Sequence, residues 1–267
     1  MSEAFRSFYA REYVEADRLW ATPHGCLERV RTWELLERHL PPAPARVLDV
    51  GGGPGVHAEW LASRGYAVRL IDPVHEHVEQ AAGLDGVGAA VGDARSLGEA
   101  DSSFDAVLLL GPLYHLLEGP DRMAALSEAL RVVVGGGLVV AAGIGRYAGL
   151  LDLAAQARLN AATEPVMRQI LADGRHRPEL LGFTDAYLHR PEELEAEMVA
   201  AGLADVVVYG IEGPATNALD AYGMDRLDEF LDSAVRGARM VERDPALINA
   251  SAHLLVAGRR ARTGRRR

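Results

Sequence analysis

Lysine is missing from this sequence: all 28 basic residues in its 267 positions are arginine. That excludes chemistry needing a side-chain amine, such as a pyridoxal Schiff base or a phosphate-loop lysine. Cysteine is nearly missing too. The single Cys26 permits no intrachain disulfide and no cysteine-based zinc cluster, which fits a reducing compartment, and it reads as a small buried apolar side chain. The histidines include no close-spaced HxxxH pair, and His75 and His77 diverge from one helix start, so no metal is expected. The opening MSEAFRSFYAREY lacks the basic-then-apolar order of a signal peptide, and no apolar run is long enough to span a bilayer. A cytoplasmic, soluble protein without a membrane partner is expected.

What is present is a body able to build a real core, 49% hydrophobic and 25% charged. The net charge is −10, and six arginines fall within Arg259–Arg267; without those nine residues the balance is −16. So acidic a body repels phosphate backbones, so nucleic acid is not the expected partner.

Apolar runs at RVLDV (46–50) and YAVRLID (66–72) flank a helix-like segment carrying Val56, Trp60 and Leu61 and stopped by Gly65, a βαβ unit. Further strands are expected at 105–110, 137–144, 203–211 and 251–258. A helix capped by Asp121 and carrying Met123, Leu126, Leu130 and Val133 is expected before the fourth run, and another from Pro191 to Gly202. Nearly continuous apolar strands alternating with helices imply an α/β fold, a parallel sheet covered on both faces. Residues 1–40 read as a helical N-terminal extension, 41–144 as the main core and 145–190 as a helical lid insertion. Residues 191–258 read as the remainder of the core with its own helical insertion, and 259–267 as a disordered Arg-rich tail.

The most informative stretch is VLDVGGGPGVHAEWLA, 47–62. Gly51, Gly53 and Gly55 occupy a strand-to-helix turn, where missing side chains let the backbone approach a ligand at a helix N-terminus. Asp49, just before that turn, suits a ligand bearing an ammonium group better than a pyrophosphate. Asp72 ends the second strand 21 positions after Gly51, where a carboxylate can accept both hydroxyls of a ribose.

With LDVGGGPG (48–55), LIDP (70–73), VGDARSL (91–97) and SFDAVLLLGPLYHL (103–116) in this order, the chain resembles the class I S-adenosylmethionine-dependent methyltransferases of small-molecule type. The resemblance covers residues 45–145 well and departs at VVVGGG, 132–137, where the family usually has a proline before two glycines. It implies a Rossmann-like, seven-stranded, mostly parallel sheet whose one antiparallel strand, SAHLLVAG, follows 203–211. It implies S-adenosyl-L-methionine as cofactor and S-adenosyl-L-homocysteine as product. The turn Gly51–Gly55 would lie against the methionine moiety, Asp72 beside Pro73 would hold the ribose, Asp93 with Ala94 the adenine amino group, and Leu110 with Gly111 the cofactor floor.

A cofactor that brings its own leaving group asks the protein mainly to align the methyl group and exclude water, so the absence of a triad is no obstacle. Tyr114 and His115 leave a core strand at the end where open parallel sheets bind ligands and are the candidate catalytic residues. His115 is expected to titrate near neutrality as a general base; equally, Tyr114 could pack on the cofactor and His115 cap a helix. Arg146, Tyr147, His176, Tyr187 and His189 are candidates for reading the acceptor from the lid. Phe5, Phe8, Tyr9, Tyr13 and Trp20 form an N-terminal aromatic cluster that could close over the cofactor or pack on the core, and His57 reads as a neutral helix-start imidazole.

The expected function is transfer of a methyl group to an O, N or C nucleophile of a small molecule in a lidded pocket. A non-methylating use of the same cofactor, cyclisation or elimination, is the alternative. An NAD-dependent oxidoreductase is remoter, because Asp49, VGDA and GPLYHL speak against it, and a non-catalytic binding module is remotest. Acceptor identity and oligomeric state are not legible in the sequence.

Overall fold

The computed structural model describes residues 15–177 and 184–262. Phe5, Phe8, Tyr9 and Tyr13 lie outside them. Helices α1 (Glu15–Ala21) and α2 (Pro23–His39) lead into β1 (Arg46–Val50), α3 (Val56–Ser63), β2 (Ala67–Asp72), α4 (His75–Ala82) and β3 (Val87–Val91). Then come β4 (Phe104–Leu109), α5 (Pro112–His115), α6 (Gly119–Val132) and β5 (Val133–Gly145). The insertion comprises α7 (Ala148–Ala155), α8 (Glu164–Asp173), β6 (Arg175–His176) and β7 (Ala186–His189). The chain returns through α9 (Pro191–Ala200), β8 (Leu203–Gly210), α10 (Thr216–Tyr222), α11 (Leu227–Val241) and β9 (His253–Arg260).

Strands β3, β2, β1, β4 and β5 lie side by side in that order, all parallel. Strand β9 runs antiparallel between β5 and β8, the arrangement expected for SAHLLVAG. The sheet has nine strands rather than seven. The extra pair is β7, parallel to β5 at Ile144 and Gly145, and β6, antiparallel to β7. Thirteen residues of β5 outrun the six of β4, so its upper end has an edge that the insertion fills. Among its described residues the insertion is therefore helical only in its first part.

The period-2 alternation of each strand sorts side chains onto two cores. Leu48, Val107, Leu109, Val139, Ala141, Leu254 and Val256 pack with Leu126 and Ala129 of α6 and Leu194 and Met198 of α9. Val47, Ala106, Leu108, Leu138, Val140 and Leu255 face Leu35 and Leu36 of α2 and Trp60 and Leu61 of α3. Three local expectations change. The N-cap of α6 is Glu118, while Asp121 sits in the first turn and accepts from Arg95. Val133 opens β5 instead of closing that helix. Arg259 and Arg260 belong to β9, where Arg260 donates to the Val133 carbonyl at 2.6 Å and Arg259 to that of His39 at 3.1 Å; a backbone ladder anchors them without any apolar side chain. The remainder of the expected tail, 263–267, lies outside the described residues. Among the described residues no helix is long and apolar enough to cross a membrane.

Helix α2 is bound to the far end of the chain by Arg31, which is 0% exposed. It donates to Glu34 and Glu242, both at 2.5 Å, and to the Ile211 carbonyl at 3.1 Å. Removing one member of such a set strands buried acceptors, at about 3–5 kcal/mol, whereas a half-exposed pair contributes roughly 1 kcal/mol or less. Arg31→Met should therefore lower the unfolding free energy in urea by about 3–5 kcal/mol. Arg38→Met, on the same two carboxylates but half-exposed, should cost about 1 kcal/mol or less.

Candidate active site

The strand order reverses between β1 and β4, and the crevice beyond their carboxyl ends is where a doubly wound sheet takes its ligand. The turn from β1 into α3 forms one wall. Gly51 has φ +69°, and a Cβ there would stand 2.9 Å from the Pro112 ring; a Cβ on Gly52 would stand 2.6 Å from Asp49 Oδ2. Any side chain here would fill the space between this turn, the turn after β4 and the carboxylate beneath. Gly55 begins α3 in the left-handed region without a side-chain cap, leaving first-turn N–H groups for a ligand.

Two carboxylates lie under the turn. Asp72 is nearly buried; Oδ2 accepts the Gly53 N–H at 2.9 Å, Oδ1 accepts that of Val74 at 2.8 Å, and His77 Nδ1 is 3.4 Å from Oδ1. It thus fixes the β1 and β2 turns to each other and keeps lone pairs for a ligand. Asp49 is 0% exposed, and among the described residues neither of its oxygens has a hydrogen-bond partner. Burial, with the Asp72 charge adding to it, pushes its pKa up from 3.8 to about 7. A buried carboxylate without a donor is costly, and a cationic ligand removes that cost. The ammonium of S-adenosylmethionine would supply such a donor, and the glycine turn leaves backbone clearance for a ligand, so the residues present fit that cofactor.

Pro73, Gly92, Ala94, Leu110 and Gly111 line the same cavity. Asp93 does not line it: its carboxylate faces Arg95, which donates from Nε at 3.0 Å and Nη2 at 2.6 Å and holds its pKa below the usual range. His57 and Tyr114 are in the lining, and burial pushes the His57 pKa down to about 4 while its Nδ1 accepts the Trp33 indole N–H at 3.1 Å. His115 also lines it, and burial pushes its pKa down to about 3. The expectation of a near-neutral pKa is thus overturned, because desolvation of the buried ring disfavours its charged form; Thr184 Oγ1 is its neighbour, at 3.4 Å.

A larger cavity of about 630 Å³ adjoins the first, and Arg18 and Tyr114 line both. The insertion walls it with Leu151, Leu153, Met167 and Ile170, and His24, His176, Asp220 and His253 also face it. Of the five lid residues expected at the acceptor, only His176 lines this cavity. Arg146 is buried and donates to the Leu188 carbonyl at 2.7 Å and to Glu193 at 2.6 Å. Tyr147 accepts from Arg190 at 2.8 Å, the Arg122 guanidinium lies 3.9 Å from the Tyr187 ring centroid, and buried His189 stands 3.3 Å from Glu197. These four bind the insertion to α6 and α9. A buried guanidinium needs fixed acceptors, and the exposed Glu and carbonyl ends of these elements supply them.

Arg18, Glu28, Glu212 and His253 escaped the sequence reading, since no local motif joins them. The strand register contains the signal: antiparallel pairing of Gly210 with Leu254 brings Ile211 and Glu212 alongside His253.

A family model described as a methyltransferase domain matches residues 48–141. The ubiquinone biosynthesis O-methyltransferase of Xylella fastidiosa is 31% identical over 216 residues, 76% of this chain and 80% of that protein. The one from Rhizobium johnstonii is 33% identical over 164 residues, so the chain spans 59% of that relative's length. Among solved structures, an S-adenosylmethionine-dependent methyltransferase of Thermotoga maritima, described as a possible histamine N-methyltransferase, superposes with a TM-score of 0.59 at 18% identity. That likeness covers 97% of this chain and 100% of the other and concerns the fold.

The raised pKa of Asp49 has a definite sign in stability. Below 3.8 the group is neutral folded and unfolded and costs nothing; between 3.8 and 7 only the unfolded chain ionises, so the cost grows with pH and levels off above 7. Asp49→Asn should therefore make the ligand-free protein more stable at pH 8, on the order of 2–4 kcal/mol, with a much smaller gain at pH 4. Urea unfolding at the two pH values measures the difference.

Proposed function

Since the chain belongs to the class I S-adenosylmethionine-dependent methyltransferases, we propose that it transfers the methyl group of that cofactor to a nucleophile of a small molecule held in the larger cavity. The observation that carries the reading is Asp49, a buried carboxylate without a donor under a glycine turn that admits a backbone-hugging ligand. When bound, S-adenosylmethionine supplies an electrophilic methyl on a sulfonium, so the protein need not activate the leaving group.

In this reading Asp49 takes the ammonium group, while Asp72 offers the ribose hydroxyls the lone pairs that Gly53 and Val74 leave free. The narrow backbone between Gly51 and Gly111 and the Ala94 side chain accommodate the rest. Asp93 would reach the adenine only by sharing its carboxylate with Arg95. Tyr114, lining both cavities, sets the acceptor against the methyl group; His115, neutral at physiological pH, accepts a hydrogen bond there without storing a proton. The relatives' O-methyltransferase activity favours a hydroxyl acceptor. The apolar wall of the larger cavity suits a compact, partly apolar molecule, and the acidic body suits no nucleic acid. The one buried cysteine agrees with a cytoplasmic setting.

Calorimetry should show binding of S-adenosylmethionine and S-adenosylhomocysteine and none of NAD. Asp72→Ala should weaken S-adenosylhomocysteine by about 2–4 kcal/mol, the range for truncating a desolvated charged partner. An equal affinity for NAD, or an unchanged affinity in the variant, refutes the assignment. Cofactor binding without any methylated product from a panel of phenols, alcohols and amines would turn the reading toward a non-methylating reaction.

A further inference from the structure

The larger cavity contains an ionisable group for which cofactor binding has no use. His253 opens β9, and its Nδ1 is 2.6 Å from Glu212 Oε1, while Glu212 Oε2 accepts the main-chain N–H of the same histidine at 3.0 Å. Glu212 is 1% exposed, so this two-point clamp is shielded from water. Glu28 of α2 stands 3.6 Å from Nδ1 and is itself gripped by Arg18 at 2.5 and 2.7 Å. A carboxylate only accepts, so Nδ1 carries the hydrogen. Nε2, across the ring, has no hydrogen bond to a described residue, and the side chain is 21% exposed on the cavity wall.

We propose that His253, oriented by Glu212, is the proton acceptor for a hydroxyl nucleophile bound in the larger cavity, a role that rests on the methyl-transfer reading above. The acceptor O–H gives its proton to Nε2 while the O–C bond forms and the sulfonium C–S bond breaks. The C–S electron pair stays on sulfur, giving a neutral thioether, an ether and a protonated His253. An amine attacks with its own lone pair before losing a proton, whereas an alcohol or phenol gains from a base during attack, so a dedicated acceptor points to oxygen.

The surroundings favour the imidazolium. Burial lowers the His253 pKa, but Glu28 and Glu212 outweigh burial and the opposing Arg18 charge, and the net direction is upward from 6.5. His24, across the cavity, adds a further cation when protonated. Two carboxylates and one guanidinium leave a net negative charge that a proton on His253 cancels. The competing imidazoles lack this arrangement. His24 has Asp220 at 2.9 Å, but its Nε2 faces Thr22 Oγ1 at 3.3 Å and the pair is far more exposed. Burial holds the His115 pKa down at about 3, which makes it a poor store for a proton.

The test uses 4-nitrophenol, whose ionised form alone absorbs in the visible, titrated into protein saturated with S-adenosylhomocysteine. The bound dye should ionise at a pH at least about one unit lower than the free dye, a tenfold shift toward the phenolate. His253→Gln should abolish the shift while changing S-adenosylhomocysteine affinity by less than about threefold, which also shows that the variant folds. Glu212→Gln should leave a partial shift, because the ring keeps its place but loses the charge behind it. With methylatable phenols, His253→Gln should lower turnover about 10²–10⁴-fold. An unshifted dye in the saturated wild type, or a shift removed by His24→Gln and retained in His253→Gln, overturns the proposal. Failure of the wild type to bind S-adenosylhomocysteine would instead sink the methyltransferase reading beneath it.

Discussion

The uncompensated charge of Asp49 is the constraint on which the rest of the site depends. A carboxylate at 0% exposure with a second, Asp72, close by is held in place by the surrounding scaffold at a cost in stability. The scaffold is the glycine turn, locked from above by Pro112 and from the side by the Gly53 N–H on Asp72. Each lock explains a residue type. Gly52 cannot carry a Cβ because Asp49 is there, and Gly51 cannot because the β4 turn is there. In the proposed complex a cationic ligand would recover the cost of leaving Asp49 without a donor, so the feature that weakens the empty protein would strengthen the complex.

The second cavity follows from a different necessity. Strand β5 is longer than its neighbour β4, and the exposed edge at Ile144 and Gly145 is covered by β7, which draws the insertion down over the crevice. Leu153, Met167, Ile170, Ala186 and Leu188 give that insertion a small core of its own. Its polar residues then serve attachment: Arg146 on Glu193, Arg190 on Tyr147, Arg122 on Glu197. The larger cavity is the space left between this attached roof and the ends of β5 and β9.

Much of this was legible in the sequence, and the failures have physical causes. Strands 46–50, 66–72, 105–110, 137–144, 203–211 and 251–258 stood out because bulky apolar residues mark buried parallel strands. Strand β3, VGAAV, did not, because its small residues lie at the sheet edge and Val91 is 55% exposed; only the motif order implied it. The glycine turn, Asp49 and Asp72 were found because their roles are local and the resemblance supplied the rest. Arg146, Tyr147, Tyr187 and His189 lie in contacts that anchor the insertion, while His176 lines the larger cavity; an Arg or Tyr that anchors a roof and one that reads a ligand look alike in sequence and differ only in what they touch. Glu212 and His253, 41 positions apart, are joined by strand register, which is visible in a sequence only after two strands have been paired correctly.

The absence of lysine gives the distribution of charge a simple logic. Guanidinium cannot release its proton in a protein, so an arginine is safe inside a wall: Arg31 and Arg146, both almost wholly buried, each satisfy several acceptors without introducing a titratable group. Imidazole is then the remaining cationic side chain able to exchange a proton near neutral pH. The structure separates its histidines accordingly. Two that line the proposed cofactor cavity, His57 and His115, are driven neutral by burial, so they would add no positive charge beside a sulfonium. Those with carboxylate partners on the acceptor side, His24 and His253, are held above their ordinary pKa. A cation placed beside a cationic cofactor would weaken its binding, and a neutral histidine without a carboxylate would hold a proton poorly. In His57, His115 and His253 one residue type meets both requirements.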